Sequence, residues 1–221
     1  MRKSIIAILM TFCLSIMTYA QTPRDRATEL KEQAQSSLNQ KDYIKARYLF
    51  KKAYEAFATR ENYPQAIECG VQANALYVRE NFYKEGFELC RDMDQLIWAG
   101  EQNQKKVFYD LRFLVNKERL QMYTALKNPA QAKTQLNKLE ETANLAKNDS
   151  LTEVLLYTKA NYYYTFNQNT QGDACFRKLI NQYKEKKDYA KVSDCYKNLI
   201  GIARKANNAP LMEVTSFGQT P

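Results

Sequence analysis

Counting from Tyr43, the chain places Ala46 three residues on, Phe50 four further and Ala53 three beyond that. The same steps lead from Tyr83 to Gly86, Cys90 and Met93, from Pro129 to Ala132, Leu136 and Leu139, and from Asn169 to Gly172, Phe176 and Leu179. Steps of three and four put each set on one face of an α-helix. The small residue heading each face allows a second helix to approach closely. Upstream, Tyr77, Tyr123 and Tyr163 each precede the small residue of their frame by nine positions, while Ser37 stands there in the first frame. Each tyrosine is expected to pack beside its small residue across a helix–turn–helix.

Polar breaks punctuate these faces about every twenty residues: "NQKD" (39–42), "RENYP" (60–64), "REN" (79–81), "KNP" (127–129), "KNDS" (147–150), "NQN" (167–169), "KKD" (186–188) and "NNAP" (207–210). A further break near Gly100 is expected to open a longer fifth helix. Pro64, Pro129 and Pro210 fall where a first helical turn tolerates proline. Ser150 with Glu153 reads as a capping box. The pattern predicts an all-α chain, an α-solenoid of about four and a half helix hairpins: nine helices and an aborted tenth after Pro210. Val214, Thr215, Gly218 and Pro221 make that tenth helix fail.

The aromatic-to-small interval resembles that of the tetratricopeptide repeat, which has an aromatic on its first helix and a small residue early on its second. The resemblance covers roughly residues 27 to 208 and implies antiparallel helix pairs stacked into a right-handed superhelix. The small-residue marks are separated by 40, 46 and 40 residues, longer than the roughly 34 of that family. Periods near forty also suit HEAT-type repeats.

Composition adds the compartment. The opening "MRKSIIAILMTFCLSIMTYAQ" has Arg2 and Lys3, an apolar run from Ile5 to Met17, and small residues Thr18 and Ala20 at the positions a signal peptidase reads. This predicts a signal peptide over 1–20, a helical repeat domain over 21–208 and an irregular tail over 209–221. The apolar run is shorter than the roughly 20 residues of a membrane span, so the mature chain is not expected to insert in a membrane. Without the leader, 31 basic and 24 acidic residues leave a net charge of +7, spread along the helices. A periplasmic location argues against nucleic acid as the partner of that charge. Cys69, Cys90, Cys175 and Cys195 remain. Their spacings allow disulfides Cys69–Cys90 and Cys175–Cys195 across neighbouring helices, or four small buried apolar residues.

The 221 residues include no histidine. That excludes a Ser–His–Asp triad, a Cys–His pair and a histidine phosphoacceptor. The six glycines never cluster into a phosphate loop, and no Cys-x2-Cys metal spacing occurs. No enzyme and no cofactor is expected. The segment "NDSL" (148–151) matches an N-glycan sequon and a short bacterial O-glycan acceptor pattern.

In tetratricopeptide arrays the first helix of each unit lines a groove. By register from the small-residue marks, the resemblance implies a groove of Lys31 and Gln35, Lys117 and Gln121, then Tyr157, Asn161 and Tyr164, with Lys197 and Arg204 on the trailing helix. Amides grip a peptide backbone, cations its carboxylates and rings its apolar groups. Within "NYYYTF" (161–166), Tyr163 is expected to pack, with Tyr164 turned to the groove. An exported array of this period is also similar to the periplasmic sensor segment of bacterial membrane histidine kinases. That implies a non-catalytic sensing part, without its membrane helix and output domain, whose partner is a protein or peptide. A free scaffold for envelope assembly and a peptide- or glycan-capturing protein are the competing classes.

Overall fold

The computed structural model describes residues 25–205, with side chains to Ile202. The expected leader, the tail with Pro210 and the aborted tenth helix lie outside the described residues. Among those described, the protein is all-α, with nine helices and no strand. They are α1 (Arg26–Asn39), α2 (Tyr43–Thr59), α3 (Tyr63–Arg79), α4 (Tyr83–Gln104), α5 (Tyr109–Ala125), α6 (Pro129–Ala146), α7 (Asp149–Thr165), α8 (Asn169–Glu185) and α9 (Tyr189–Lys205). Packing divides the chain into two units at Leu76 and Tyr77, within α3. Inside each unit, helices that are neighbours in sequence are neighbours in space, the solenoid-like order the repeat predicted.

One turn design recurs at six of the joints. The carbonyls of Ser37, Phe57, Tyr77, Tyr123, Tyr163 and Tyr183 accept the N–H of the fifth residue on, at 2.8 to 3.0 Å. The residue before each donor is left-handed: Lys41, Glu61, Asn81, Lys127, Asn167 and Lys187. These are Schellman closures, each satisfying carbonyls a helix end would otherwise leave open. The donor residue then caps the next helix. Asp42, Asn62, Asn128 and Asp188 each accept a backbone N–H three residues on through the side chain. So the tyrosine mark occupies one fixed place in the turn. Phe57 and Tyr183 hold the same place on the intervening helices. The structural period is thus a single helix of about twenty residues, half the period the tyrosines outline.

Two boundaries differ from expectation. The long helix is α4, at 22 residues, rather than the fifth helix, which has 17. Gly100 lies buried within α4, and the helix ends only at left-handed Lys105. A lone glycine costs about 1 kcal/mol in a helix interior. The flanking Trp98–Ala99 and Glu101–Gln104 carry the helix past it. The capping box at Ser150 does not form either. Asn148 caps α7, its Oδ1 accepting from the Ser150 N–H at 3.0 Å. Glu153 instead binds Lys186 at 2.7 Å and Lys191 at 3.3 Å. Asn148 stands one residue before the helix, the place from which a side chain most readily reaches its open first-turn amides.

The first unit closes on Phe50 and Ile67, at 1% and 0% exposure, with Ala34, Ala46 and Ala53 allowing close approach. The second unit holds two clusters that share α7. Leu155 and Tyr162 join Phe113, Leu136 and Leu139, while Leu156 and Ala160 join Phe176, Leu179 and Leu199. Tyr163 packs against both. Burying each such side chain contributes about 1.5–3 kcal/mol, which fixes α7 from two sides.

Candidate functional site

Register placed nine residues in a groove, and the structure draws two of them into one cleft. Gln121 and Thr124 on α5 line a depression of about 270 Å³ together with Thr158, Asn161 and Thr165 on α7. α5 and α7 are first helices of successive hairpins, and they pack directly on each other. Residues one turn apart on each helix share the wall, as the spacing of 121 to 124 and of 158, 161 and 165 requires. The threonines on α7 turn their hydroxyls to their own helix, Thr158 to the Val154 carbonyl at 2.8 Å and Thr165 to the Asn161 carbonyl at 2.8 Å. Their methyl groups, the two primary amides and the Thr124 hydroxyl, which has no partner among the described residues, are what remain for a ligand. Lys127 is the one charged residue of the lining.

The other candidates sit differently. Lys31 is held by Gln65 and Glu68 on α3, at 2.8 Å each, so it ties α1 to α3. Gln35 is exposed and donates to Asn39 at 3.1 Å. Lys117 is mostly covered and lies 3.4 Å from the carboxylate of buried Glu118. Tyr157 is half-buried, its ring edge-on to Phe176 with centroids 5.4 Å apart. Lys197 is exposed and pairs with Asp194 on its own helix at 3.1 Å. The side chain of Arg204 lies outside the described residues.

Tyr164 corrects the expectation for the tyrosine run. Its ring, rather than that of Tyr163, lies against Gly172, so close that a Cβ on the glycine would stand 2.8 Å from Cε2. Its hydroxyl donates to Asp173. Burial and the Asp173 carboxylate together push the phenol far above its ordinary range. Tyr162 is the most covered of the three, at 4% exposure. The reason is geometric. Helical side chains lean toward the N-terminus, so a surface spot is covered by a residue about one position C-terminal to it. The backbone mark at 163 was legible in sequence; the side chain that fills the gap is its neighbour.

The four cysteines among the described residues are buried free thiols. Burial pushes Cys69 and Cys195 up to about 11 and Cys90 up to about 12. The disulfides allowed by spacing do not form here, and the thiols serve as small apolar residues.

A second cleft went unseen in the sequence. It opens between α4, α5 and α6, has a volume of about 480 Å³ and includes Trp98. Its signal was the chain's single tryptophan, placed beside the break in the repeat period. Buried Glu101 shapes its wall. Glu101 accepts from the Phe108 N–H at 2.8 Å and from Arg112 Nε at 2.7 Å, with a second contact from Arg112 Nη2. The Arg112 hydrogen bonds hold its carboxyl below the usual carboxylate range, against the opposing effect of burial. No family model matches the chain, and no curated protein matches it.

Proposed function

We propose that this chain is an exported, non-catalytic binding array of the tetratricopeptide type. In this reading it is the sensing part of a signalling system, and the α5–α7 cleft holds an extended protein or peptide segment. The observation that carries the reading is that Gln121 and Asn161, selected by register alone, line one cleft. A primary amide offers one acceptor and two donors, the complement of a backbone peptide unit. Two amides one repeat apart are suited to hold an extended strand at two points. Export is supported by Arg2, Lys3, the apolar run and the small residues Thr18 and Ala20. A non-catalytic role is supported by the absence of histidine from the whole chain.

The test begins with partners captured from envelope extract, followed by calorimetry on synthetic peptides from the captured protein. Replacing both Gln121 and Asn161 with alanine is expected to weaken binding at least tenfold, about 1 kcal/mol per lost hydrogen bond. Lys31→Ala should bind as the parent does. A double variant with unchanged affinity would remove the groove. Export is checked separately by the N-terminus of the protein in the cell envelope, expected at Gln21.

A further inference from the structure

The second cleft interrupts an otherwise regular array. Most helices have 17 residues, whereas α4 has 22. The joint to α5 keeps the left-handed closure, the Lys106 N–H reaching the Glu101 carbonyl at 3.3 Å after left-handed Lys105, but Val107 and Phe108 are added before the next helix, and Val107 stands exposed. In repeat proteins, insertions tend to gather on the binding face. Just before the added residues 100–104 stands Trp98, left 62% exposed. An indole so uncovered beside a cleft is a large apolar face without a partner in the described residues.

Both arginines of the lining are already paired. Arg119 donates to Asp94 at 2.5 Å and to the Cys90 carbonyl at 3.0 Å. Arg112 is committed to Glu101. Asn116 donates to Thr142 at 3.3 Å, and its carbonyl oxygen has no partner among the described residues. Lys138 and Glu141, one turn apart on α6, add one charge of each sign. With Glu101 behind Arg112, three cations stand with three carboxylates, so the cleft is close to neutral. Each arginine keeps further N–H groups beyond those it uses, in a fixed fork. The cleft thus presents rigid donors, at least one open acceptor and a flat aromatic wall. Its volume lies within the roughly 300–1,000 Å³ of small-ligand sites.

A sugar ring matches that set. It shows C–H groups on its faces and hydroxyls, each donor and acceptor, around its rim. The open apolar groups of the lining are Trp98 and Leu145, while Ile97 is buried, and the flat indole face beside the donors of Arg112, Asn116 and Arg119 suits a ring with C–H faces and a hydroxyl rim. We propose that the cleft between α4, α5 and α6 binds a neutral saccharide, with Trp98 stacked on a ring face and Arg112, Asn116 and Arg119 bonding its hydroxyls. The site is separate from the α5–α7 cleft and does not depend on its reading.

Because Trp98 is the chain's only tryptophan, its emission reports on the site without a label. The full chain is titrated with maltotriose, cellotriose, xylotriose and chitotriose, each to its solubility limit. At least one is expected to give a saturable change in emission. Calorimetry with that sugar should show at least tenfold weaker binding for Trp98→Ala, and several-fold weaker binding for Asn116→Ala, the loss of about one hydrogen bond. Trp98→Phe, a milder change, should fall between parent and Trp98→Ala, and Gln121→Ala should bind as the parent. Circular dichroism confirms the helix content of each variant. No saturable response to any of the four sugars overturns the proposal. So does preferential binding of trigalacturonate, or saturable binding of N-acetyl-leucine amide in place of the sugars.

Discussion

Gly172 is a residue whose identity the packing dictates. A side chain there meets the Tyr164 ring at 2.8 Å, and that ring is itself fixed by Phe176 and Asp173. Gly172→Ala should destabilise the protein by about 1–3 kcal/mol, the usual cost of overpacking, despite the better helix propensity of alanine. Gly201, in α9, meets nothing within 4 Å. Gly201→Ala should therefore raise stability, by up to about 1 kcal/mol. Urea midpoints of the two variants test the contrast, and equal shifts of one sign would refute it. The recurrent left-handed turn residue is a different case, since lysine, glutamate and asparagine fill it rather than glycine. Each such residue carries strain of roughly 1–2 kcal/mol, offset by the carbonyls its turn satisfies.

At the scale of elements, α4 and α5 are joined through two ion pairs, Arg112–Glu101 and Arg119–Asp94, of which the first is the more buried on its acidic side. Glu101 is almost covered, while Arg112 is about half exposed. The folded carboxyl titrates below its ordinary value, so its contribution is complete above the unfolded value, about 4.3. It is lost as pH falls through the lower folded value. Stability should decline from about pH 5 downward, and the decline should be smaller in Glu101→Gln. That variant should also be less stable than the parent at neutral pH by about 1–3 kcal/mol, through a weakened arginine contact. Denaturation at pH 7 and pH 4 measures both quantities; identical pH slopes would show that Glu101 is not the responsible group. α7 shows another side of the same scale. Its two apolar faces serve two clusters, Leu155 and Tyr162 in one and Leu156 and Ala160 in the other.

At the scale of the molecule, buried thiols occur in both units, and none of the four among the described residues is bonded. With Cys69, Cys90 and Cys195 raised by burial, little thiolate forms near pH 8. A thiol reagent added to the folded protein at that pH should label none of the four within the time that labels all four in urea. Reduction should leave the melting temperature unchanged. Rapid labelling in the folded state, or a melting shift with reductant, would contradict this account.

The sequence by itself determined the helices, their joints and their order, because those follow from local spacing, polar breaks and the alternation of small and bulky residues. Tyr77, Tyr123 and Tyr163 mark equivalent turns because a turn is a matter of a few consecutive residues. Pairing Gln121 with Asn161 was also legible, since the register of a repeat maps faces onto one another. Tertiary structure alone decided which tyrosine meets Gly172, since the lean of side chains along a helix shifts contact by one residue. It decided that Lys31 is spent on Glu68 and that α4 runs through Gly100. It also decided that Trp98 borders a cleft. These depend on which helices approach and on what each side chain meets there, and no pattern along a single strand of sequence contains that information.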